Sequence, residues 1–345
     1  MAIGKATFGD SLQENVILTD MCFGCAACAV ACPFSCLEYM KGRPYLVREC
    51  KACGICAEVC PQFAWPLPNV ESFVFGRERR KDEEFGVYRR IVAVKATNDR
   101  VSSFCQDGGV VTALLLHALK TRFIDGAIVS GISKKKPFYP VPKLVTTVEK
   151  VLESAGTRYS YSPNLLALPK AMRQKKKSIA FVGTPCQINA LRRMQMCKLK
   201  LAANVKLLVG LMCSECFTYE GLMEKHIHQN LGINLDDVKD VNIKGKMIVR
   251  LKSGSSKIIP LSHAKQYARA SCGFCRDFSA ELADISTGGL GLEGWTFTVI
   301  RSKEGEVLFN SAMEAGTMRT KTVEENDLAL NLLVRLSSRK RRSVV

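Results

Sequence analysis

The sequence predicts an α/β fold, α+β overall, in which a small cysteine-rich domain precedes a larger mixed α/β domain. Two observations carry this prediction. A cysteine pattern occurs twice within the first 67 residues, and apolar runs that alternate with helix-like segments begin at residue 91. We expect a domain at 1–70, a linker at 71–90, the larger domain at 91–337 and a basic tail at 338–345.

Composition limits the class of protein. Hydrophobic residues make up 47% of the 345 residues, enough for a buried core, but no apolar run is long enough to span a bilayer. The N-terminus lacks the apolar core and cleavage site of a signal peptide. We therefore expect a cytoplasmic protein, for which peripheral association with the cytoplasmic face of a membrane through partners stays open.

The net charge of +18 is unevenly distributed, because residues 1–67 carry about −1 and the remaining chain about +19. A basic body beside a neutral module favours an anionic ligand, an acidic partner or a membrane surface. Nothing in the sequence has the form of a recognition helix or another nucleic-acid motif, so we expect no nucleic acid as a partner.

Each copy of the cysteine pattern has the form C-x2-C-x2-C-x3-C-P. Three cysteines at this spacing wrap one corner of an iron–sulfur cubane, and the fourth ligates the cluster of the other copy. The pattern predicts two [4Fe-4S] clusters in a ferredoxin-type domain. The expected ligands are Cys22, Cys25, Cys28 and Cys60 for the first cluster, and Cys50, Cys53, Cys56 and Cys32 for the second.

A pair of zinc knuckles is the alternative for these cysteines, although a zinc site does not require a matched duplicate of this form. The prolines after Cys32 and Cys60 end the short helices. Cys36 lies outside the pattern and is expected to be a spare buried thiol. Prolines 66 and 68, followed by the mixed-charge stretch Arg77–Arg90, predict the linker.

From residue 91 predicted strands and helices alternate, which favours a mostly parallel sheet. These elements are the strand Ile91–Ala96, the helix Gly109–Lys120, the strands Gly126–Gly131 and Ser178–Val182, the helix Gln187–Met194, the strand Val205–Met212 and a helix near Tyr219–Asn230. Hairpins are expected next, pairing Val241–Lys252 with Lys257–Leu261 and Thr296–Arg301 with Glu306–Phe309. A helix at Thr322–Leu336 closes the fold, and the basic tail from Arg335 is expected to be mobile.

Further cysteines follow the predicted strands of the larger domain. Cys186 and Cys213 stand at strand carboxyl ends, where ligands bind in doubly wound sheets, and Cys272 and Cys275 form a C-x-x-C pair. Converging, these four could hold a third [4Fe-4S] cluster. Alternatively, the pairs Cys213/Cys216 and Cys272/Cys275 could form a zinc site. Cys105 and Cys197 are expected to be plain buried thiols.

Several segments of the larger domain together resemble the family of coenzyme F420 hydrogenase/dehydrogenase beta subunits, over about residues 90–310. The segments are Asp107-Gly-Gly-Val-Val-Thr-Ala-Leu-Leu, Arg158-Tyr-Ser-Tyr-Ser-Pro-Asn, Gly183-Thr-Pro-Cys-Gln187, Met212-Cys-Ser-Glu-Cys-Phe217, Cys272-Gly-Phe-Cys-Arg-Asp-Phe278 and Ala283-Asp-Ile-Ser-Thr-Gly-Gly289. With its fused two-cluster module, the whole chain is similar to the electron-input subunits of archaeal reduced-F420 dehydrogenase complexes.

The resemblance implies a flavin-binding larger domain, with FAD as hydride acceptor, coenzyme F420 as substrate and a proximal [4Fe-4S] cluster on Cys186, Cys213, Cys272 and Cys275. Cys216 stands where family members often have another residue, so either Cys213 or Cys216 could be the ligand. The FAD contacts that the family implies here are Ser103, Asp107, Gly108, Gly109, Val110, Thr112, Tyr159, Ser160, Thr184, Gln187, Asp277, Ser286, Gly288 and Gly289.

The expected activity is oxidation of reduced F420 by FAD, with single electrons relayed to a partner in a membrane-bound complex that reduces methanophenazine or a quinone. Alternatives are a soluble F420:ferredoxin oxidoreductase, or a related ferredoxin-dependent flavoenzyme, and a non-catalytic electron-wire subunit. No side-chain acid or base is required for hydride transfer, so no catalytic residue is assigned. Candidate contacts for the anionic tail of F420 are Lys134–Lys136, Lys143, Arg158, Arg192 and Arg193.

Overall fold

A computed structural model of the chain describes residues 6–323 and 328–342. The strands are β1 Leu37–Met40, β2 Arg43–Leu46, β3 Arg90–Ala96, β4 Gly126–Ile132, β5 Pro140–Val145, β6 Ile179–Gly183, β7 Val205–Leu211, β8 Val238–Ile243, β9 Met247–Leu251, β10 Ser256–Ile259, β11 Ile285–Gly288, β12 Thr296–Ile300 and β13 Met318–Lys321. The α-helices are α1 Ala27–Ala31, α2 Ile55–Val59, α3 Leu67–Phe75, α4 Asp99–Phe104, α5 Val110–Lys120, α6 Val148–Glu153, α7 Leu168–Arg173, α8 Pro185–Met196, α9 Lys200–Ala203, α10 Leu261–Lys265, α11 Lys303–Glu314 and α12 Leu328–Arg342. Gly9–Ile17 and Glu220–Asn230 are π-helical, and Asn164–Ala167, Leu235–Asp237 and Ala270–Phe274 form 3-10 turns.

The two copies of the cysteine pattern have the same backbone shape. The residues that precede α1 and α2, Ala26 and Gly54, have positive φ angles of 70° and 73°. Gly24 and Ala52 also match, with φ of 61° and 49°. At Gly24 a Cβ atom would lie 2.6 Å from the Arg269 guanidinium, so only glycine fits without displacing that side chain. The duplication in sequence is therefore a duplication in structure.

The larger domain is built on one eight-stranded mixed sheet of order β13-β3-β12-β11-β7-β6-β4-β5. The four central strands β11, β7, β6 and β4 are parallel. Because β12 is antiparallel to both β11 and β3, β3 runs in the same direction as the central strands. The carboxyl ends of β3, β6, β7 and β11 therefore meet along one edge, here called the carboxyl edge.

Helices cover both faces of this sheet. On one face α5 and α11 contribute Leu114 and Phe309 to a continuous apolar core. On the other face Leu191 of α8 packs in a core that also contains Ala27 and Val59 of the cysteine-rich domain. The two domains thus share one hydrophobic core, since the short helices that carry the cysteines pack directly on α8.

A smaller antiparallel sheet of order β10-β9-β8 packs with the π-helical segment Glu220–Asn230 in a separate core. The Gln106 side chain, which follows α4, donates a hydrogen bond of 2.5 Å to the Val241 carbonyl of β8. This bond places the small sheet beside the loop that leads into α5.

The segment Glu306–Phe309, which we predicted as a strand, lies within α11, so that prediction is wrong. The Ser302 hydroxyl accepts a hydrogen bond from the Gly305 N–H and caps the helix. Glu304 and Glu306 stand in its first turn, where carboxylates complement the helix dipole. The strand that pairs at this end of the sheet is β13, which the sequence patterns did not reveal.

The expected linker is folded onto the larger domain. Residues 67–75 form α3, and Glu71 pairs with Arg79, which also pairs with Glu281 at 2.6 Å. Further along, the buried Arg301 guanidinium donates to the carbonyls of Phe85 and Val87, both at 2.9 Å. These contacts join the segment to the core, so it does not behave as a free spacer.

The basic residues near the C-terminus, as far as Arg342, belong to the last turns of α12. Up to that residue the prediction of a mobile tail is wrong. The Lys340 ammonium donates to the Cys272 carbonyl at 2.8 Å, and Arg341 pairs with Glu281 at 2.8 Å. The predicted helix start at Thr322 is not observed, since residues 322–323 are not helical and 324–327 lie outside the described residues. The end of the expected tail, 343–345, also lies outside them.

No helix in the described part of the chain is both long enough and apolar enough to cross a bilayer.

Candidate functional site

Two cavities in the cysteine-rich domain are each lined by four of the expected cluster ligands. One cavity, called the inner cavity, is lined by the first set, Cys22, Cys25, Cys28 and Cys60. The other, called the outer cavity, is lined by the second set, Cys32, Cys50, Cys53 and Cys56, with Cys36 beside them. The fold therefore groups the cysteines as the crossed pattern predicted, with the fourth cysteine of each copy in the cavity of the other.

The donor chemistry of both cavities suits iron–sulfur clusters. All sixteen cysteines are free thiols, and among residues 6–323 and 328–342 no three ligand side chains converge on a point for a single metal ion. A zinc ion needs four such ligands around one point, whereas a cubane binds thiolates spread around its walls. Backbone N–H groups of Gly24 and Phe8 donate to the sulfurs of Cys22 and Cys50 at 3.4 Å, and hydrogen bonds to sulfur are among the features that set the reduction potential of iron–sulfur clusters in general.

A third group of cysteines lies at the carboxyl edge, after β6 and β7. The Cys186 thiol is buried and contacts the hydroxyls of Thr184 and Tyr161, at 3.2 and 3.6 Å. Burial, together with smaller contributions from negative charge on Cys213 and Cys272, raises the pKa of Cys186 to about 11.

Two further cysteines complete this third group. Burial raises the pKa of Cys275 well above its usual range, and negative charge on Cys186 contributes to the increase. Cys216 lies 3.7 Å from Cys213, sulfur to sulfur, and its backbone N–H donates to the Cys272 sulfur at 3.4 Å. The fold thus brings together all five cysteines among which the sequence left a choice.

The inner cavity and the third group are neighbours. Burial raises the pKa of the Cys25 thiol, and negative charge on Cys60 or on Cys186 raises it further. Cys25 belongs to the inner cavity and Cys186 to the third group, so the two sets of ligands approach each other across the domain boundary.

An arginine spans this boundary. Arg269 donates to the Phe23 carbonyl at 2.7 Å, and its guanidinium carbon lies 4.1 Å from the ring centroid of Tyr161. The hydroxyl of Tyr161 contacts the Cys186 sulfur. Arg269 and Tyr161 therefore connect the inner cavity to the third group, and our sequence analysis missed this role of both. Their only signal was proximity to other motifs, since Arg269 precedes Cys272 by three residues.

Two glycine-rich loops meet at the carboxyl edge, where β3 and β11 end, and we call this region the cleft. The Gly108 N–H donates to the Thr296 hydroxyl at 3.0 Å, which holds the loop against β12. Gly109, with φ of 73°, precedes α5, and no side chain caps this helix. Its first N–H groups are therefore left for another acceptor, as at sites where a helix N-terminus binds phosphate.

Gly289 faces the same loop. A Cβ atom on Gly289 would lie 2.7 Å from the Asp107 carboxylate, so the absence of a side chain lets these two strand ends approach closely. The Tyr159 hydroxyl, which accepts the Ile243 N–H at 3.0 Å, lies near Asp107, and burial raises its pKa to about 12. The fold thus gathers Asp107, Gly108, Gly109, Tyr159 and Gly289 of the expected flavin contacts in one region of the carboxyl edge, with Gly288 at the end of β11 next to them in the chain.

The side chains of three other expected flavin contacts form hydrogen bonds with other groups of the protein. Gln187 donates to the Ser162 carbonyl at 2.8 Å and is 1% exposed. Ser286, with no exposed surface, accepts a bond from Arg301 at 2.7 Å. Burial and the charge of Glu281 raise the pKa of Asp277 to about 7, and Asp277 accepts the N–H of Glu281. The side chains of these three residues are therefore used in hydrogen bonds inside the protein.

The remaining expected flavin contacts lie in different surroundings. Val110 and Thr112 are buried in the first turn of α5, and Ser160 is buried where it pairs with Phe217. The Thr184 hydroxyl contacts the Cys186 sulfur. Ser103 is exposed on α4 and donates to the Arg100 carbonyl.

Two of the candidate contacts for the F420 tail are wrong. Arg192 donates to the Leu282 carbonyl and pairs with Asp284 at 2.8 Å. Arg193 donates to the Cys60 and Phe63 carbonyls, both at 2.6 Å, and so joins α8 to the cysteine-rich domain. Both guanidinium groups are buried, because the sheet and the smaller domain cover α8 on both sides.

The other candidate basic contacts remain nearer the surface. Lys134 and Lys135 are exposed, and Lys143 is half-buried. Lys136 is paired with Glu224 at 2.8 Å. Burial lowers the pKa of Arg158 to about 10. Of this set, Lys134, Lys135, Lys143 and Arg158 have no carboxylate partner within 4 Å among the described residues.

Comparison with known proteins places the chain in a family. Residues 91–169 and 176–326 match the N-terminal and C-terminal models of the coenzyme F420 hydrogenase/dehydrogenase beta subunit, and residues 14–85 match a 4Fe-4S dicluster domain. The coenzyme F420 hydrogenase subunit beta of Methanothermobacter thermautotrophicus is 37% identical over 262 residues, 74% of this chain and 92% of that protein.

Two further similarities agree. A subunit of the F(420)H(2) dehydrogenase of Methanosarcina mazei is 29% identical over 345 residues, 95% of this chain and 91% of the relative. A chain of the F420-reducing [NiFe] hydrogenase complex from Methanosarcina barkeri superposes with a TM-score of 0.73 at 34% identity, covering 77% of this chain and 92% of that chain. The chain belongs to the family of coenzyme F420 hydrogenase/dehydrogenase beta subunits, with a 4Fe-4S dicluster domain at its N-terminus.

Proposed function

We propose that this chain oxidises reduced coenzyme F420 at an FAD in the glycine-rich cleft and passes single electrons through three [4Fe-4S] clusters to a partner protein. The observation that supports it most strongly is the order of the sites. The cleft and the third group of cysteines share the carboxyl edge, and Arg269 and Tyr161 connect the third group to the inner cavity.

The residues of the cleft suit a flavin nucleotide. The uncapped start of α5, at Gly109, provides N–H groups for a diphosphate, and the bare backbone of Gly289 leaves room for close approach. FAD, when bound, takes two electrons together as a hydride and releases them singly, which joins a deazaflavin donor to one-electron clusters. Residues of the chain need only hold and orient the rings, so no acid or base is assigned.

The outer cavity is suited to the exit of electrons. Cys53 is exposed, and Phe34 and Leu46, which also line this cavity, expose 50% and 43% of their surface. An acceptor that docks here would approach the second cluster closely. We propose that this acceptor is a subunit of a membrane-bound respiratory complex, and a soluble ferredoxin is the alternative.

The test is anaerobic purification with iron, sulfide and flavin quantified, followed by titration with reduced F420. We expect about twelve iron atoms per chain, for three clusters of four, and bleaching of the flavin by reduced F420. About eight iron atoms would remove the third cluster from the proposal. Protein without flavin would support an electron-wire subunit instead.

Gly289→Ala is expected to weaken flavin binding about tenfold to a hundredfold. The new methyl group would meet the Asp107 carboxylate at 2.7 Å, and overpacking of this kind costs about 1–3 kcal/mol. The measurement is the flavin dissociation constant by fluorescence titration. Gly9→Ala is the matched control, because its Cβ atom would meet only the Thr7 hydroxyl at 3.5 Å. Equal flavin affinity in both variants would show that Gly289 does not line the flavin site.

Serine variants at Cys213 and Cys216 should identify the cluster ligand. We propose Cys213, because it follows the end of β7 at the carboxyl edge as Cys186 follows the end of the neighbouring parallel strand β6. Cys213→Ser is therefore expected to lower iron from about twelve to about eight atoms per chain, while Cys216→Ser keeps about twelve. Iron analysis with EPR of the reduced protein makes the measurement. The reverse pattern would assign the cluster to Cys216.

A further inference from the structure

The edge of the eight-stranded sheet opposite the carboxyl edge carries nine exposed basic side chains. We call this surface the basic edge, and its members are Lys120, Arg122, Lys170, Arg173, Lys175, Lys177, Lys198, Lys200 and Lys206. They lie on α7, at the end of α5, at the start of α9 and in the loops that lead into β4, β6 and β7, except for Lys206, which is the second residue of β7. Because those strands are parallel, their starts lie side by side and bring the three groups together.

Hydrogen bonds between the loops make the basic edge one continuous surface. The Asp125 carboxylate accepts the backbone N–H of Lys177 at 2.8 Å, which joins the loop before β4 to the loop before β6. The Asn204 amide donates to the Lys176 carbonyl at 2.7 Å, which joins the loops before β6 and β7. In addition α7 packs on α9. The positive charges therefore share one face of the molecule.

Acidic residues do not neutralise this surface. The sequence contains no Asp or Glu between Glu153 and Glu215. Asp125 lies within the surface, but its carboxylate is turned toward backbone N–H groups. On the Lys198 side, Glu58 of the smaller domain contacts the Cys197 thiol at 3.5 Å. Four helices end at this surface, and one cation near each C-terminus would complement its helix dipole. Helix dipoles therefore account for about four of the nine cations.

The type of cation indicates the kind of partner. Seven of the nine residues are lysines, whereas protein–protein interfaces are enriched in arginine and aromatic residues and depleted of lysine. Lysine is a compact, strongly hydrated charge that suits a diffuse anionic surface better than a specific paired contact. Met172, 50% exposed on α7, is an apolar side chain among these charges. Basic clusters of this size bind anionic lipid headgroups.

We propose that the basic edge binds the surface of an anionic lipid bilayer. Bound in this way, the protein would face the membrane with the starts of β4, β6 and β7. The cleft and the third group of cysteines lie at the opposite edge of the sheet and would stay open to substrate. The proposal depends on surface charge and holds independently of which cofactors the protein binds.

Vesicle co-sedimentation of the cofactor-loaded protein tests it. The parent should bind vesicles with roughly 30 mol % phosphatidylglycerol and not pure phosphatidylcholine vesicles, and raising salt from roughly 0.05 to 0.5 M should release it. Changing Lys175, Lys177, Lys198 and Lys200 together to Gln should lower the partition coefficient several hundredfold, at about fivefold for each cation. Iron and flavin content should not change.

The control removes the same charge from another surface. Changing Lys239, Lys246, Lys252 and Lys257 to Gln removes four exposed lysines of the small antiparallel sheet, and vesicle binding should fall by less than about fivefold. Equal losses in the two quadruple variants would overturn the proposal, because net charge alone would then explain binding. Failure of the parent to bind anionic vesicles, or tighter binding to random duplex DNA than to the vesicles, would overturn it as well.

Discussion

Cys186→Ala is expected to lower iron from about twelve to about eight atoms per chain and to slow reduction of the ferredoxin-type clusters by reduced F420 at least a hundredfold. Cys186 is the member of the third group whose charge acts on Cys25 of the inner cavity. Loss of an indirect partner of a metal ligand costs 10- to 100-fold in metal affinity or activity, and loss of a ligand should cost more. Stopped-flow spectroscopy with freeze-quench EPR measures the rate.

Cys197→Ala is the matched control for this variant. Cys197 is a half-buried thiol at the opposite end of α8 from the buried Cys186, and among the described hydrogen bonds it contacts Glu58 and no other cysteine. It should keep about twelve iron atoms and the parent rate. In Cys186→Ala, dithionite should still reduce the two remaining clusters. Full iron content together with an unchanged rate in that variant would remove Cys186 from the electron path.

Arg269→Ala should slow electron transfer from the third group to the inner cavity about tenfold to a hundredfold, while iron and flavin contents stay at parent levels. The guanidinium holds the Phe23 carbonyl and the Tyr161 ring together, so its loss lets the two sets of ligands move apart. The rate of electron transfer falls steeply as the distance between donor and acceptor increases. Loss of the cation–π contact and the hydrogen bond should also lower the free energy of unfolding by about 2 kcal/mol or more.

Two variants separate a positioning role of Arg269 from a general effect of charge. Arg269→Lys keeps the charge but loses the planar fork, so it should show an intermediate rate. Arg43→Ala removes another arginine, one that forms an exposed ion pair with Asp20. Because exposed pairs contribute little, this variant should keep the parent rate of electron transfer. The decisive readout is the rate of cluster reduction after the flavin is already reduced. An unchanged rate in Arg269→Ala would show that the clusters keep their separation without this contact.

The elements that the sequence predicted well are those with a local signal. The duplicated cysteine pattern specified two equivalent helices, because ligand spacing and the following proline act within one turn of chain. The strand–helix alternation predicted β3, α5, β4, β6, α8 and β7 within two residues of their bounds. In contrast, Glu306–Phe309 was assigned to the wrong element, since a run of four residues does not distinguish a strand from a helix and the cap at Ser302 decides it.

The candidate site was partly predictable for the same reason. Cysteines and glycines at strand ends could be named in advance, because parallel strands bring their carboxyl ends together. Which side chains remain free for a ligand could not be foreseen. Gln187 and Arg193 stand beside the site in sequence, yet one completes an internal hydrogen-bond network and the other joins the two domains.

By itself, the sequence predicted the cysteines that we propose as cluster ligands and the glycines at the strand ends, and it indicated the family. Only the tertiary structure decided how these parts face one another, with Arg269 and Tyr161 across the domain boundary, Lys340 of α12 beside Cys272, and nine cations on one edge. The physical reason is distance along the chain. Thiol spacing acts over a few residues, whereas a contact such as that between Arg269 and Phe23 joins residues 246 positions apart, which no local pattern encodes.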